Sequence, residues 1–122
     1  MASYFISDRQ SDILIPSIMM TNELDIFLAI GQSLAGTERN KLFGLPCFRI
    51  DGKPFICLFH NEMVFKLTGE AHQEALSLDG AQRFDPSGKQ RPMREWVQLP
   101  FDYAEKWEDF AQAAYVYVKM LP

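Results

Sequence analysis

The sequence predicts an α+β domain: an antiparallel sheet of about five strands, covered on one face by an N-terminal and a C-terminal helix. Three observations predict it. Apolar residues recur at helical spacing near both ends of the chain. Between them the period shortens to that of strands, and turn dipeptides divide the strand-like runs into a three-strand meander and a later pair. The order is helix, three strands, short helix, two strands, helix, the pattern of a sheet with helices segregated to one side. A chain of 122 residues has room for one such domain and for a core that needs no staples.

Residues 1–20 read as an N-terminal extension, rich in Ser and isolated apolar residues, and residues 21–122 as the domain. Met20 before Thr21-Asn22-Glu23 offers a second start of translation. Thr21 or Asn22 caps a helix over 23–35, with Glu23 and Asp25 in its first turn. Its stripe is Leu24, Phe27, Leu28, Gly31, Leu34 and Ala35. Residues 36–40 read as a loop. Strands follow over 47–50 and 54–59, joined by Asp51-Gly52, whose residues readily take the positive φ angles of a tight hairpin. His60-Asn61-Glu62 turns the chain into a third strand over 63–67. Thr68-Gly69-Glu70 opens a short helix carrying Ala71, Ala75 and Leu76. A strand over 81–84 meets Asp85-Pro86-Ser87-Gly88, a type I turn sequence, and a strand over 94–99 ends at Pro100. Asp102 as cap and Glu105 three residues on start the last helix. Tyr103, Trp107, Phe110, Ala111, Ala114, Val118 and Leu121 fall on one of its faces.

The composition is that of a globular chain, 48% hydrophobic, 13% aromatic and 23% charged. Two cysteines, Cys47 and Cys57, are too few for a disulfide framework and lack C-x-x-C spacing, so they read as reduced core thiols. Asp8, Arg9 and Asp12 precede any apolar run, unlike a signal peptide, and the expected location is cytoplasmic. Ile13 to Met20 is far shorter than a membrane span, so no membrane partner is expected.

Catalysis needs a nucleophile or base with an orienting partner. His60 falls in a turn and His72 on a polar helix, and no motif links either to Ser, Cys or Asp. No phosphate loop, dinucleotide fingerprint or four-ligand metal spacing is present, so the expectation is a non-enzyme without cofactor or metal. Charge, however, is segregated. Between Arg39 and Arg94 nine basic residues stand against six acidic ones, a balance of +3, while the whole chain carries −4 and its flanks therefore −7. Lys66, Arg83, Lys89, Arg91 and Arg94 are the candidate contacts for an anion or nucleic acid. A small-ligand site would need a pocket joining Lys66 to this cluster.

Both long helices carry apolar residues beyond their main stripe. In the first these are Ile26 and Ile30; in the last they are Val116 and Met120, flanked by Tyr115 and Tyr117. A helix apolar on more than one side is covered on more than one side. Ile26, Ile30, Val116, Tyr117 and Met120 are therefore the candidate partner surface, met by residues 1–20 folding back, by a second copy in a homodimer, or by another protein.

Four segments resemble the N-terminal domain of TfoX/Sxy proteins. They are Lys41-Leu-Phe-Gly44, Ile50-Asp-Gly-Lys53-Pro-Phe55, Met63-Val-Phe-Lys66-Leu67 and Arg91-Pro-Met-Arg94-Glu-Trp96-Val-Gln-Leu-Pro100. Their order and spacing carry the resemblance over about residues 24–120, and the hairpin and final helix are more distantly similar to the YjbR/MmcQ group. The resemblance implies an α+β domain without enzymatic activity, related to bacterial regulators of competence that act with other transcription machinery. It implies structural roles for Gly44 and Gly52 in turns and for Phe55 and Trp96 in the core. The expected function is a regulatory domain acting through protein–protein contacts, with weak nucleic-acid binding by residues 83–94 as the alternative.

Overall fold

Asn22 caps the first helix through its Oδ1, which accepts the Asp25 backbone N–H at 2.8 Å and so satisfies one amide that a helix start leaves unpaired. The computed structural model describes residues 22–89 and 92–122; the expected N-terminal extension, Thr21 and Arg91 lie outside the described residues. Helix α1 spans Glu23–Ser33 and leads into four strands, β1 (Thr37–Leu42), β2 (Leu45–Ile50), β3 (Lys53–Phe59) and β4 (Glu62–Lys66). Helix α2 (Gly69–Ser77) follows, then β5 (Gln82–Phe84), β6 (Met93–Leu99), a 3-10 turn over Phe101–Tyr103, and α3 (Ala104–Lys119).

The fold is α+β with an antiparallel sheet, as the pattern predicts, but the sheet has six strands in the order β1-β2-β3-β4-β6-β5. The added strand is β1, which runs through the segment read as a loop. It pairs with β2 from Thr37 opposite Ile50 to Leu42 opposite Leu45. Only its two end residues are half-buried, and the four between them are exposed. An edge strand of this kind buries nothing that alternates, and its charges keep other strands from joining it.

Three two-residue turns connect the meander. Asp51 and Gly52 have φ of 55° and 78°, as the Asp-Gly signal predicts, and Phe43-Gly44 and His60-Asn61 adopt the same left-handed pair. The chain then leaves β4 through α2, reaches the far edge as β5, and returns as β6 between β4 and β5. The expected turn after β5 is present: the Gly88 N–H donates to the Asp85 carbonyl at 3.2 Å, and the Ser87 N–H donates to Asp85 Oδ1.

The helices pack on one side of the sheet. Phe27, Phe48, Phe55, Phe65, Trp107 and Ala114 belong to the core between the layers. The buried stripe of α3 is Trp107, Phe110, Ala111, Ala114 and Val118, which agrees with the spacing. Its start does not. The cap position falls at Tyr103 and no side chain among the described residues caps it, because the 3-10 turn carries Asp102 into that turn instead.

In α1 the phase differs from the expected stripe. The buried residues are Ile26, Phe27, Ile30 and Gly31, while Leu24 is 41% exposed. Ile26 and Ile30 are core residues, so the structure removes both from the candidate partner surface. Gly31 explains the rotation: the ring of Phe48 occupies the place where a Cβ on residue 31 would stand. The helix turns its smallest residue, and with it Phe27 and Ile30, onto the sheet.

The opposite face of the sheet is apolar as well. Cys47, Cys57, Val64, Phe84 and Trp96 form a second buried cluster, edged by Leu42, Leu45, Phe59 and Met93. Both faces of the central strands are therefore dry, which is why β3 reads as a continuous apolar run rather than an alternating one.

Candidate functional site

The candidate anion contacts are not brought to one place. Lys66 stands opposite Trp96 in the β4–β6 ladder, and Trp96 belongs to the second face. Arg83 stands opposite Val97, whose side chain lies in the helix-side core. Partners across a ladder share a face, so the strand positions of Lys66 and Arg83 fall on opposite faces of the sheet. Lys66 Nζ is also 3.9 Å from Glu95 Oε1. Lys89 and Arg94 are exposed on the β5–β6 hairpin; Arg91 between them is outside the described residues.

The two histidines are held by their surroundings. His72 Nε2 lies 2.8 Å from the Arg94 carbonyl oxygen, to which it donates as the Nε2–H tautomer. His60 stacks on Phe59 with ring centroids 3.9 Å apart. A cleft between α2 and α3, lined by Glu74, Lys106 and Asp109 among others, has a volume of about 210 Å³. It does not reach Lys66, so it is not the pocket that a small-ligand reading requires. Among the described residues no group of three or more His, Cys, Asp or Glu is placed to hold a metal ion. Nor is any helix among them long and apolar enough to cross a membrane.

The outer side of α3 is a different matter. Val116 is 55% and Met120 78% exposed, one helical turn apart. Their tyrosine neighbours are tied down. Tyr117 donates its hydroxyl to Glu95 Oε2 at 2.7 Å, and that bond, with a smaller contribution from burial, raises its pKa above the usual phenol value. Tyr115 donates to the Ala35 carbonyl at 2.6 Å and packs against Phe55. Lys53 Nζ donates to the Leu121 carbonyl and fixes the end of the helix to β3. The helix is thus anchored on its inner side and flanks, and presents two aliphatic side chains outward.

One exposed residue escaped the sequence pattern. Phe43, at the tip of the β1–β2 turn, is 61% exposed and holds φ at 53°, a region that an aromatic residue rarely adopts. Glycine at position 44 marked the turn, but nothing in the hydropathy distinguished Phe43 from a core aromatic.

On the second face, Cys47 and Cys57 are opposed in the β2–β3 ladder and wholly buried. Burial raises both thiol pKa values above the ordinary range, and the neighbouring Arg49 draws that of Cys47 partly back down. Compared with protein-family models, with curated proteins and with solved structures, the chain matches none.

Proposed function

We propose that this domain works by binding a protein partner rather than by catalysis, and that its docking surface is the outer side of α3 around Val116 and Met120. The regulatory role belongs to the same reading, supported by the segments whose order and spacing resemble TfoX/Sxy N-terminal domains. The observation that carries it is the exposure of Val116 and Met120, 55% and 78%, on a helix otherwise anchored to the core. Exposed aliphatic pairs of this kind supply the apolar centre of a protein contact, rimmed here by Gln112 and Lys119. Nucleic-acid binding is the weaker alternative, because the basic candidates divide between two faces of the sheet.

The test compares the wild-type protein with the Val116→Asp/Met120→Asp variant as paired baits, after matching their far-UV spectra and thermal midpoints. A protein retained by the first and lost from the second is the expected result. Equal retention by both overturns the docking surface. A salt-sensitive shift of DNA or RNA by the wild-type protein overturns the reading in favour of the alternative.

A further inference from the structure

We propose that Cys47 and Cys57 are a cross-strand dithiol which a small hydroperoxide oxidises to an intramolecular disulfide, making the second face of the sheet a redox site. The inference stands on the ladder register and is independent of the docking surface on α3. The two residues are Cα partners between β2 and β3, and opposed residues in an antiparallel ladder have Cα atoms about 4.5 or 5.5 Å apart. Both values fall within the roughly 4.4–6.8 Å that disulfides span. Opposed Cβ atoms sit about 4.5–5.5 Å apart, against about 3.8 Å in a disulfide, so closure asks for an approach of roughly 1 Å. The ladder has give at that point. Its register shifts between Phe48 and Arg49, one residue beyond Cys47, and a bulge permits local bending and added twist.

The two thiols, both free, are chemically unequal. Arg49 lies two residues beyond Cys47; burial raises the Cys47 thiol pKa and the positive charge of Arg49 offsets part of that rise, whereas nothing offsets it at Cys57, and this difference assigns the attack to Cys47. Arg49 Nε is buried and has no hydrogen-bond partner among the described residues. A buried donor without an acceptor is uncommon, and this one belongs to the residue whose charge favours the Cys47 thiolate. Cys57 has no such cation and is the resolving thiol.

The chemistry balances with a hydroperoxide as oxidant. Cys47 Sγ attacks one peroxide oxygen; the S–O bond forms, the O–O bond breaks, and the departing alkoxide or hydroxide takes the Cys47 proton. Cys57 Sγ then attacks the sulfenic sulfur of Cys47, the S–S bond forms, and the hydroxyl leaves with the Cys57 proton as water. Two thiols and one hydroperoxide give one disulfide, one alcohol or water, and one water; the two electrons pass from sulfur to the O–O bond. Both thiols are wholly buried, which ordinarily leaves a cysteine inert, so the oxidant that reaches them has to be small and uncharged.

The experiment uses the full chain, folded and fully reduced, exposed to hydrogen peroxide, then unfolded and alkylated for intact mass. The expected product is a monomer lighter by two hydrogens, with both thiols lost together and both restored by dithiothreitol. In the Cys57→Ser variant, Cys47 accumulates as a sulfenic acid that dimedone traps; in Cys47→Ser, Cys57 gives far less adduct at the same exposure. Unreacted thiols in the folded protein, a gain of oxygen without disulfide, or a disulfide-linked dimer each overturn the proposal. The wild-type mass decides the matter even if a serine variant does not fold.

Discussion

Gly31 is the residue on which α1 turns. A Cβ there would run into the Phe48 ring, and that ring is 2% exposed and packed against Phe27 at 5.1 Å, so it cannot swing aside. Gly31→Ala gains about 1 kcal/mol of helix propensity but overpacks the contact at a cost of about 1–3 kcal/mol. A lower urea midpoint with an unchanged slope is the expected outcome; a raised midpoint means that the helix and sheet are less closely packed than described. Tyr117 gives a pH-dependent counterpart. Its hydroxyl hydrogen-bonds to Glu95 only while protonated, and its pKa is raised in the folded protein. The sign follows: the bond contributes fully below the unfolded phenol value of about 10 and is lost as pH rises through the higher folded value. The small stability difference between wild type and Tyr117→Phe is therefore constant from neutral pH to about 9 and shrinks above about 10. A difference that grows in alkaline solution contradicts the assignment. At this scale the sequence was partly legible. It marked Gly31 as part of the buried stripe, but only the position of Phe48 shows why, and no pattern in one chain reveals that Tyr117 finds Glu95.

Among the elements, β1 and α1 were the least legible, for opposite reasons. β1 lacks any apolar alternation because an edge strand buries little, so Thr37–Leu42 resembles a loop until its ladder to β2 is seen. α1 carries apolar residues on most of its circumference, so its phase is ambiguous; the sequence took Leu24 as inward and Ile26 with Ile30 as outward, and packing reversed both. The final helix was clearer, because its acidic residues define the wet side. The edge charges of β1 lead to a test. Arg39 and Lys41 are exposed and alternate along one face of the strand. Replacing both with Ile raises strand propensity, so the domain itself stays folded, yet removes the charges that discourage pairing with another chain. Arg39→Ile/Lys41→Ile is expected to scatter light sooner on incubation below its unfolding temperature than the wild-type protein does. Equal scattering at equal concentration shows that the edge is guarded by something other than these charges.

In the whole molecule the decisive fact is a sheet with two dry faces. The sequence foresaw one, because the helices it could see account for one. The run Phe55-Ile56-Cys57-Leu58-Phe59 carried the signal for the other: Phe55, Ile56 and Leu58 enter the helix-side core while Cys57 and Phe59 join the second cluster, and all but the last are buried. The two tryptophans lie on opposite sides, Trp107 under the helices and Trp96 on the second face. They allow each layer to be watched separately. In Trp107→Phe the remaining fluorescence reports the second face; in Trp96→Phe it reports the helix side. Because the same strands bear both clusters, neither face is able to lose its packing while the ladders persist, and a domain of this size unfolds as one unit. Within each variant, the tryptophan signal and the far-UV circular dichroism are therefore expected to give the same urea midpoint. The midpoints differ between the variants by the cost of each substitution, which for Trp107 is offset in part because its Nε1 is a buried donor without a partner among the described residues. A Trp96 signal that changes at lower urea than the ellipticity of the same variant would show the second face to be a separable layer, and would break the argument that one sheet binds both cores together.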